Sequence, residues 1–171
     1  DGSFANVMGS ETWLEGWQGV DGDQCGTPVA PHDGSNAATY THDASTGALV
    51  LTGKGAHVGL PKAFNGGELT TPADAPDSIT YTVTELSESA MTIQIQYFGD
   101  QTWQYKFVKE GVESNASITG DWKLAPMAAA LGVGWDAANA TGWWSNSAED
   151  VTTRACLFDD IFRFGEDGSF A

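Results

Sequence analysis

Seven tryptophans stand in 171 residues, and five of them, Trp13, Trp17, Trp135, Trp143 and Trp144, fall in loop-like or boundary segments, outside regular strand alternation. Indole faces in such places suit one kind of chemistry: they stack on the apolar C–H faces of sugar rings, or they anchor a protein partner. Glu15, Gln18, Asn139 and Asn146 lie near them in sequence and are suited to bonding sugar hydroxyls. These five tryptophans are the candidate site for a glycan or a partner. The competing expectation is that they plug the ends of the fold. Trp103 and Trp122 fit strands and are expected in the core.

Catalytic chemistry finds little support. The chain has no G-x-S-x-G elbow, no H-E-x-x-H and no phosphate-binding glycine loop, and His32, His42 and His57 are scattered rather than set at ligand spacing. A glycosidase needs two carboxylates across a cleft. Glu11 with Glu15 and Asp159 with Asp160 are the pairs on offer, and nothing in the sequence marks either as having a raised pKa. The expectation is a non-enzyme without a cofactor. Asp21, Asp23, Asp159 and Asp167 offer oxygens to calcium, yet no loop matches the D-x-[DN]-x-[DN]-G pattern.

Composition sets the stage for that site. Hydrophobic residues at 41% with 18% charged describe one folded domain spanning 1–171. Seven basic against 23 acidic residues give −16, which argues against nucleic acid or an anionic membrane as partner. No stretch of about 18 apolar residues is present, so no membrane insertion is expected. Cys25 and Cys156 are an even pair outside any C-x-x-C motif; with the acidic, glycine-rich composition they point to an oxidising, extracellular or cell-surface setting. There they form a disulfide or remain two buried thiols.

The elements that must position these residues are strands. Ile79–Thr84, Met91–Tyr97 and Trp103–Phe107 alternate apolar with Thr, Gln or Lys, the pattern of an antiparallel meander with one wet face. Ala38–His42 and Ala48–Gly53 are short strands joined by turn residues, and Pro126–Val133 has the start and stop signals of a short helix. Ser147 caps a further helical turn, and Cys156–Phe164 then alternates as a strand. In that register Asp160 sits among Phe158, Phe162 and Phe164 with Arg154 as its partner on the same face, or a bulge turns it outward.

The chain's two ends share a sequence: Asp1–Ala5 and Asp167–Ala171 both read DGSFA. Glu166-Asp167-Gly168 is a tight-turn signal, so the Cys156–Phe164 strand calls for a partner that Ser3–Met8 would supply. Phe158, Ile161, Phe162, Phe164 and Phe170 on one side, with Phe4 and Val7 on the other, form that hairpin either within a molecule or between copies. The second case makes copies of the chain its own partners, in tandem or head to tail, by strand complementation. Rejoined at this hairpin, the chain runs through strands around Trp122, Phe158, Phe4, Tyr40, Leu49, Tyr81, Ile93 and Tyr105. The expected fold is all-β: an eight-stranded antiparallel up-and-down barrel in circularly shifted order, with one or two short helices. A two-sheet sandwich fits the same strand count.

In the rejoined order, Trp122-Lys123-Leu124 and the pattern C-x-x-D-D-x-x-x-F-x-x-D-G (Cys156, Asp159, Asp160, Phe164, Asp167, Gly168) resemble the lipocalin-like, calycin-type domains of secreted bacterial proteins. The stretches Trp143–Ser147, Asp150–Cys156 and Leu60–Gly67 are similar to repeat modules attached to glycan-handling, multi-domain surface proteins of marine Bacteroidota. The resemblance implies an extracellular, non-catalytic role and names no ligand. Two functions follow from the whole: a structural repeat unit of a surface protein or fibre, and a carbohydrate-binding module of β-glucan type.

Overall fold

The computed structural model describes residues 1–111 and 116–166. The second DGSFA copy, with Asp167 and Phe170, lies outside the described residues. Strand β1 (Gly2–Val7) leads into a long connection that holds a ribbon of β2 (Thr12–Leu14) and β3 (Gln24–Gly26). A tight hairpin of β4 (Ala38–Asp43) and β5 (Ala48–Thr52) follows. The second long connection carries β6 (Ala63–Phe64) and β7 (Gly67–Glu68). The expected meander is β8 (Ser78–Leu86), β9 (Ala90–Phe98) and β10 (Gln101–Glu110), and β11 (Gly120–Leu124) comes next. In the third long connection lie the hairpin of β12 (Leu131–Gly134) and β13 (Trp144–Ser145), then α1 (Ala148–Thr153) and α2 (Ala155–Phe158). Strand β14 (Ile161–Phe164) completes the set.

Eight strands form the barrel, in the order β11-β14-β1-β4-β5-β8-β9-β10, and β10 pairs again with β11 to close it. Every pairing is antiparallel, so the fold is the closed up-and-down barrel and not the sandwich. Among the described residues every barrel strand has a neighbour on each side. Strands β1 and β14 pair within the chain, with Phe4 opposite Phe164 and Val7 opposite Ile161. The Phe4 and Phe164 rings meet at 5.0 Å, and Tyr40 reaches Phe164 at the same distance.

Two elements differ from the sequence expectation. Cys156–Phe164 is not one strand: Cys156, Leu157 and Phe158 belong to α2, and only Ile161–Phe164 is extended. Ser147 is the reason. It forms a capping box with Asp150, accepting from the Asp150 amide at 3.1 Å while its own amide donates to Asp150 Oδ2 at 2.7 Å. The helix so started ends at Thr153, the backbone breaks at Arg154, and the short α2 takes up the apolar stretch that follows. Pro126–Val133 is not a helix but a turn followed by β12, which pairs with β10. Gly134 explains it: a side chain there would meet the Asn139 carbonyl, so the bare backbone lets this hairpin fold back on itself.

The barrel is filled. Leu49, Leu51, Tyr81, Ile93, Tyr105, Phe107, Trp122, Phe162 and Phe164 are fully buried, each contributing roughly 1.5–3 kcal/mol when of Leu or Phe size. The second long connection sends a strap inward, so that Val58 and Leu60 join this core. Tyr81 Oη accepts from the Val58 amide at 3.2 Å, and the Asn6 side chain brackets His57, donating to its carbonyl at 2.8 Å and accepting from its amide at 3.3 Å. At Gly59 φ is +73°, and a Cβ would strike the Tyr105 ring at 2.3 Å, so only glycine lets the strap lie there.

Candidate functional site

All three long connections, residues 8–37, 53–77 and 125–160, leave from the same end of the barrel, together with the β9–β10 turn. The other end has the short β4–β5 and β8–β9 turns. The asymmetry extends into β10. Its Phe107–Glu110 half pairs with β11 and closes the barrel, while its Thr102–Tyr105 half pairs with β12, which diverts the sheet into the β12–β13 hairpin. Where the partners change, a cleft of about 400 Å³ opens, within the range of small-ligand sites.

Each connection supplies part of the cleft. Trp103 and Tyr97, from β10 and β9, join Leu60 beneath Lys62 and Glu68 of the second connection, while Glu15 and Asp23 come from the first and Trp143, Trp144 and Arg154 from the third. Trp103 is 5% exposed; its indole donates to Glu68 Oε1 at 2.9 Å, and Lys62 Nζ lies 4.8 Å from its ring centre. Lys62 also pairs with Glu15 Oε1 at 3.0 Å, and Trp17 Nε1 donates to the other Glu15 oxygen at 2.9 Å. Both carboxylates are thus held by fixed donors. Trp144 stands edge-on to Trp103, ring centres 6.5 Å apart, and exposes 37% of its surface; Trp143 exposes 51%.

Arg154 is the hinge of the aromatic wall. Its guanidinium lies 4.7 Å over Trp13 and 5.5 Å over Trp144, and its Nε is 3.3 Å from Asp150 Oδ1. It does not partner Asp160. Asp160 is buried at the end of α2 and accepts from Thr12 Oγ1 at 2.6 Å, while its Oδ1 has no partner among the described residues. Burial, with the neighbouring Asp159 charge, pushes its carboxyl up to about 8. The bulge expectation is set aside with the salt-bridge one: the backbone turns at Asp159, and the side chain stays inside.

The five candidate tryptophans therefore separate. Trp143 and Trp144 line the cleft with exposed faces. Trp17 is half-buried and holds Glu15 in place. Trp13 is buried under Arg154 in β2 and is not a binding face. Trp135 is 45% exposed, and its ring centre is 6.5 Å from that of Trp143. Among the polar neighbours, Asn146 is buried and occupied with the Leu131 amide and the Met127 carbonyl, and Gln18 is buried in its capping role. Nothing in the sequence places Lys62, Glu68 or Tyr97 at a site, and Trp103 and Arg154, expected in the core and beside Asp160, line the cleft instead. The one signal that could have found two of them is rarity: Lys62 and Arg154 are two of only seven basic residues, each set in a stretch of small and apolar neighbours.

Cys25 and Cys156 are bonded, tying the first connection to the third across 131 residues. The buried imidazoles of His32 and His57 meet edge to face with ring centres 5.7 Å apart, and Trp17 meets His32 in the same way at 5.6 Å. Desolvation lowers His32 to about 4 and His57 to about 3, and His57 Nδ1, 2.9 Å from the Gly55 carbonyl, carries the proton. Among the described residues no three His, Cys, Asp or Glu side chains are grouped to hold a metal ion, and no helix is long and apolar enough to cross a membrane.

No family model matches the chain, and no curated protein or solved structure is significantly similar to it.

Proposed function

We propose that this domain is a non-catalytic carbohydrate-binding module for a neutral, β-linked glucan, acting in an extracellular or cell-surface setting. One observation carries the proposal: exposed Trp143 and Trp144 faces stand over a cleft whose polar groups, Glu15, Lys62 and Glu68, are locked by partners. Stacking planes above fixed donors and acceptors match a pyranose ring, which offers apolar faces and equatorial hydroxyls. Charge favours a neutral ligand. Three carboxylates (Glu15, Asp23, Glu68) face two cations (Lys62, Arg154) in the cleft, on a chain of net charge −16 that repels polyanions. Among the described residues the barrel interior is filled by buried side chains, which favours a site at its end, and the disulfide suits an oxidising compartment.

The test is migration through a native gel cast with soluble β-glucan. The unaltered protein is retarded; Trp143→Ala with Trp144→Ala abolishes the retardation while the protein stays folded, since both rings are exposed at the surface, Trp143 by 51% and Trp144 by 37%. Equal retardation of the double variant would reject the cleft.

A second reading, a structural unit of a surface fibre joined by strand complementation between copies, is supported by the DGSFA shared by both ends of the sequence. What favours the self-contained module is that β1 and β14 already satisfy each other within one chain. Light scattering separates the two: a particle near 18.0 kDa supports the module, and a filament with a regular repeat supports the fibre.

A further inference from the structure

Two concavities share one wall. The cleft lies on one side of the β12–β13 hairpin, against Val133, Trp143 and Trp144. A groove of about 460 Å³ lies over the outer faces of β8, β9 and β10, lined by Thr82, Gln96 and Thr102 and, from the tip of the same hairpin, by Asp136 and Ala137. Strand alternation divides β10 between them, with Trp103 in the cleft and Thr102 in the groove. The link is Trp135. It directly precedes Asp136 of the groove, and its exposed ring adjoins that of Trp143 in the cleft.

We infer, resting on the glycan reading of the cleft, that the groove is a second subsite taking the continuation of the same glucan chain, with Trp135 and Trp143 bridging the two. The bound species is then an internal stretch of a polysaccharide. The groove's chemistry is that of a hydroxyl-binding track. The Thr82 side chain is exposed and its hydroxyl makes no hydrogen bond within the described residues. Gln96 Nε2 donates to the Gly99 carbonyl at 2.5 Å and to Asp100 Oδ1 at 3.3 Å, which fixes its amide plane and leaves the carbonyl oxygen uncommitted. The wall is firmly attached: Gln94 Nε2 donates to Gln104 Oε1 at 3.0 Å and to the Ala137 carbonyl at 2.9 Å. The groove's charged groups, Asp100 and Asp136, exclude an anionic chain.

Trp135 owes its place to Gly142, where a Cβ would lie 2.5 Å from the indole ring. Gly142→Ala therefore displaces the bridging ring, and Gly142 itself lines neither concavity.

Calorimetric titration with β-1,3- and β-1,4-linked gluco-oligosaccharides of increasing length tests the inference. For the favoured linkage, affinity should keep rising, by about tenfold between the trisaccharide and the hexasaccharide. Thr82→Val with Gln96→Ala, on an exposed sheet face that tolerates both, should bind the trisaccharide as the parent does and lose that rise. Gly142→Ala should behave in the same way. A parent affinity that levels off at the trisaccharide would overturn the second subsite while leaving the cleft intact, as would groove variants that weaken all lengths equally. Failure of every length to bind the parent would overturn the cleft reading and the extension with it.

Discussion

The two ends of the barrel are built from the same strands and do opposite things. At the short-turn end, the β4–β5 and β8–β9 turns are closed by short-range hydrogen bonds of their own. Asp43 Oδ1 accepts from the Ser45 amide at 2.9 Å and hydroxyl at 2.6 Å, and Ser87 and Ala90 close the β8–β9 turn with a 2.8 Å backbone bond. At the long-connection end lie six of the seven tryptophans, the disulfide, the buried His32, His57 and Asp160, and the cleft. The lesson is that closing the barrel needs little from the connections. What the long ones add beyond closure is the placement of indoles and fixed charges around an opening in the sheet.

The comparison can be broken outright by removing the shared core. Trp122 is fully buried and bonded to the Ile118 carbonyl at 2.7 Å. Trp122→Ala should cost about 3–5 kcal/mol in denaturant unfolding and abolish both ends together. Replacing Cys25 and Cys156 by serine should act on one end. Global stability falls by about 2–4 kcal/mol, and β-glucan retardation drops further than that of a variant equally destabilised in the β4–β5 hairpin, because the bond joins two sides of the cleft.

Protonation sharpens the contrast, since the strongly displaced groups of the long-connection end oppose one another. His32 and His57 are held well below the unfolded value of about 6.5, so the unfolded chain takes up more protons below it, and stability rises with pH from about 3 to about 6.5. Asp160 is raised, so the folded state holds an extra proton between about 4 and about 8, and this contribution is lost as pH climbs through that window. The two histidines outweigh the one carboxyl on the acid side; above pH 6.5 Asp160 acts alone. A melting-temperature maximum near pH 6.5 is expected. Asp160→Asn, which can still accept from Thr12, should flatten the decline from pH 6.5 to 8. The smallest effect belongs to the opposite end: Ser45→Ala should change unfolding free energy by about 0.5 kcal/mol or less and glucan binding not at all.

Much of the barrel was legible because its strands alternate cleanly. Ile79–Thr84, Met91–Tyr97 and Trp103–Phe107 each bury one face, and the shared DGSFA pointed to the β1–β14 pairing. The segment around Cys156 has the pattern of a strand because Cys156, Phe158, Asp160, Phe162 and Phe164 have a spacing of two across a helix end and a strand, and the Ser147–Asp150 box is the local signal against it. The cleft was half legible. Loop tryptophans pointed to Trp143 and Trp144, yet the same signal included Trp13, which Arg154 covers. Trp103 has the pattern of a core residue because its strand alternates correctly. It is buried as expected, but at the point where β10 changes partners, and no local pattern records that change. Glu15, Lys62 and Glu68 come together from two connections 47 or more residues apart for the ion pair, a proximity that only the closed sheet creates.

The most direct test reads the indoles themselves. Seven tryptophans give seven indole N–H resonances in a nitrogen-labelled sample, and a β-linked gluco-oligosaccharide is titrated into it. The account predicts shifts for Trp103, Trp143 and Trp144, with Trp122 unmoved inside the barrel. Seven unmoved resonances at saturating oligosaccharide, or shifts that spare these three, would contradict it.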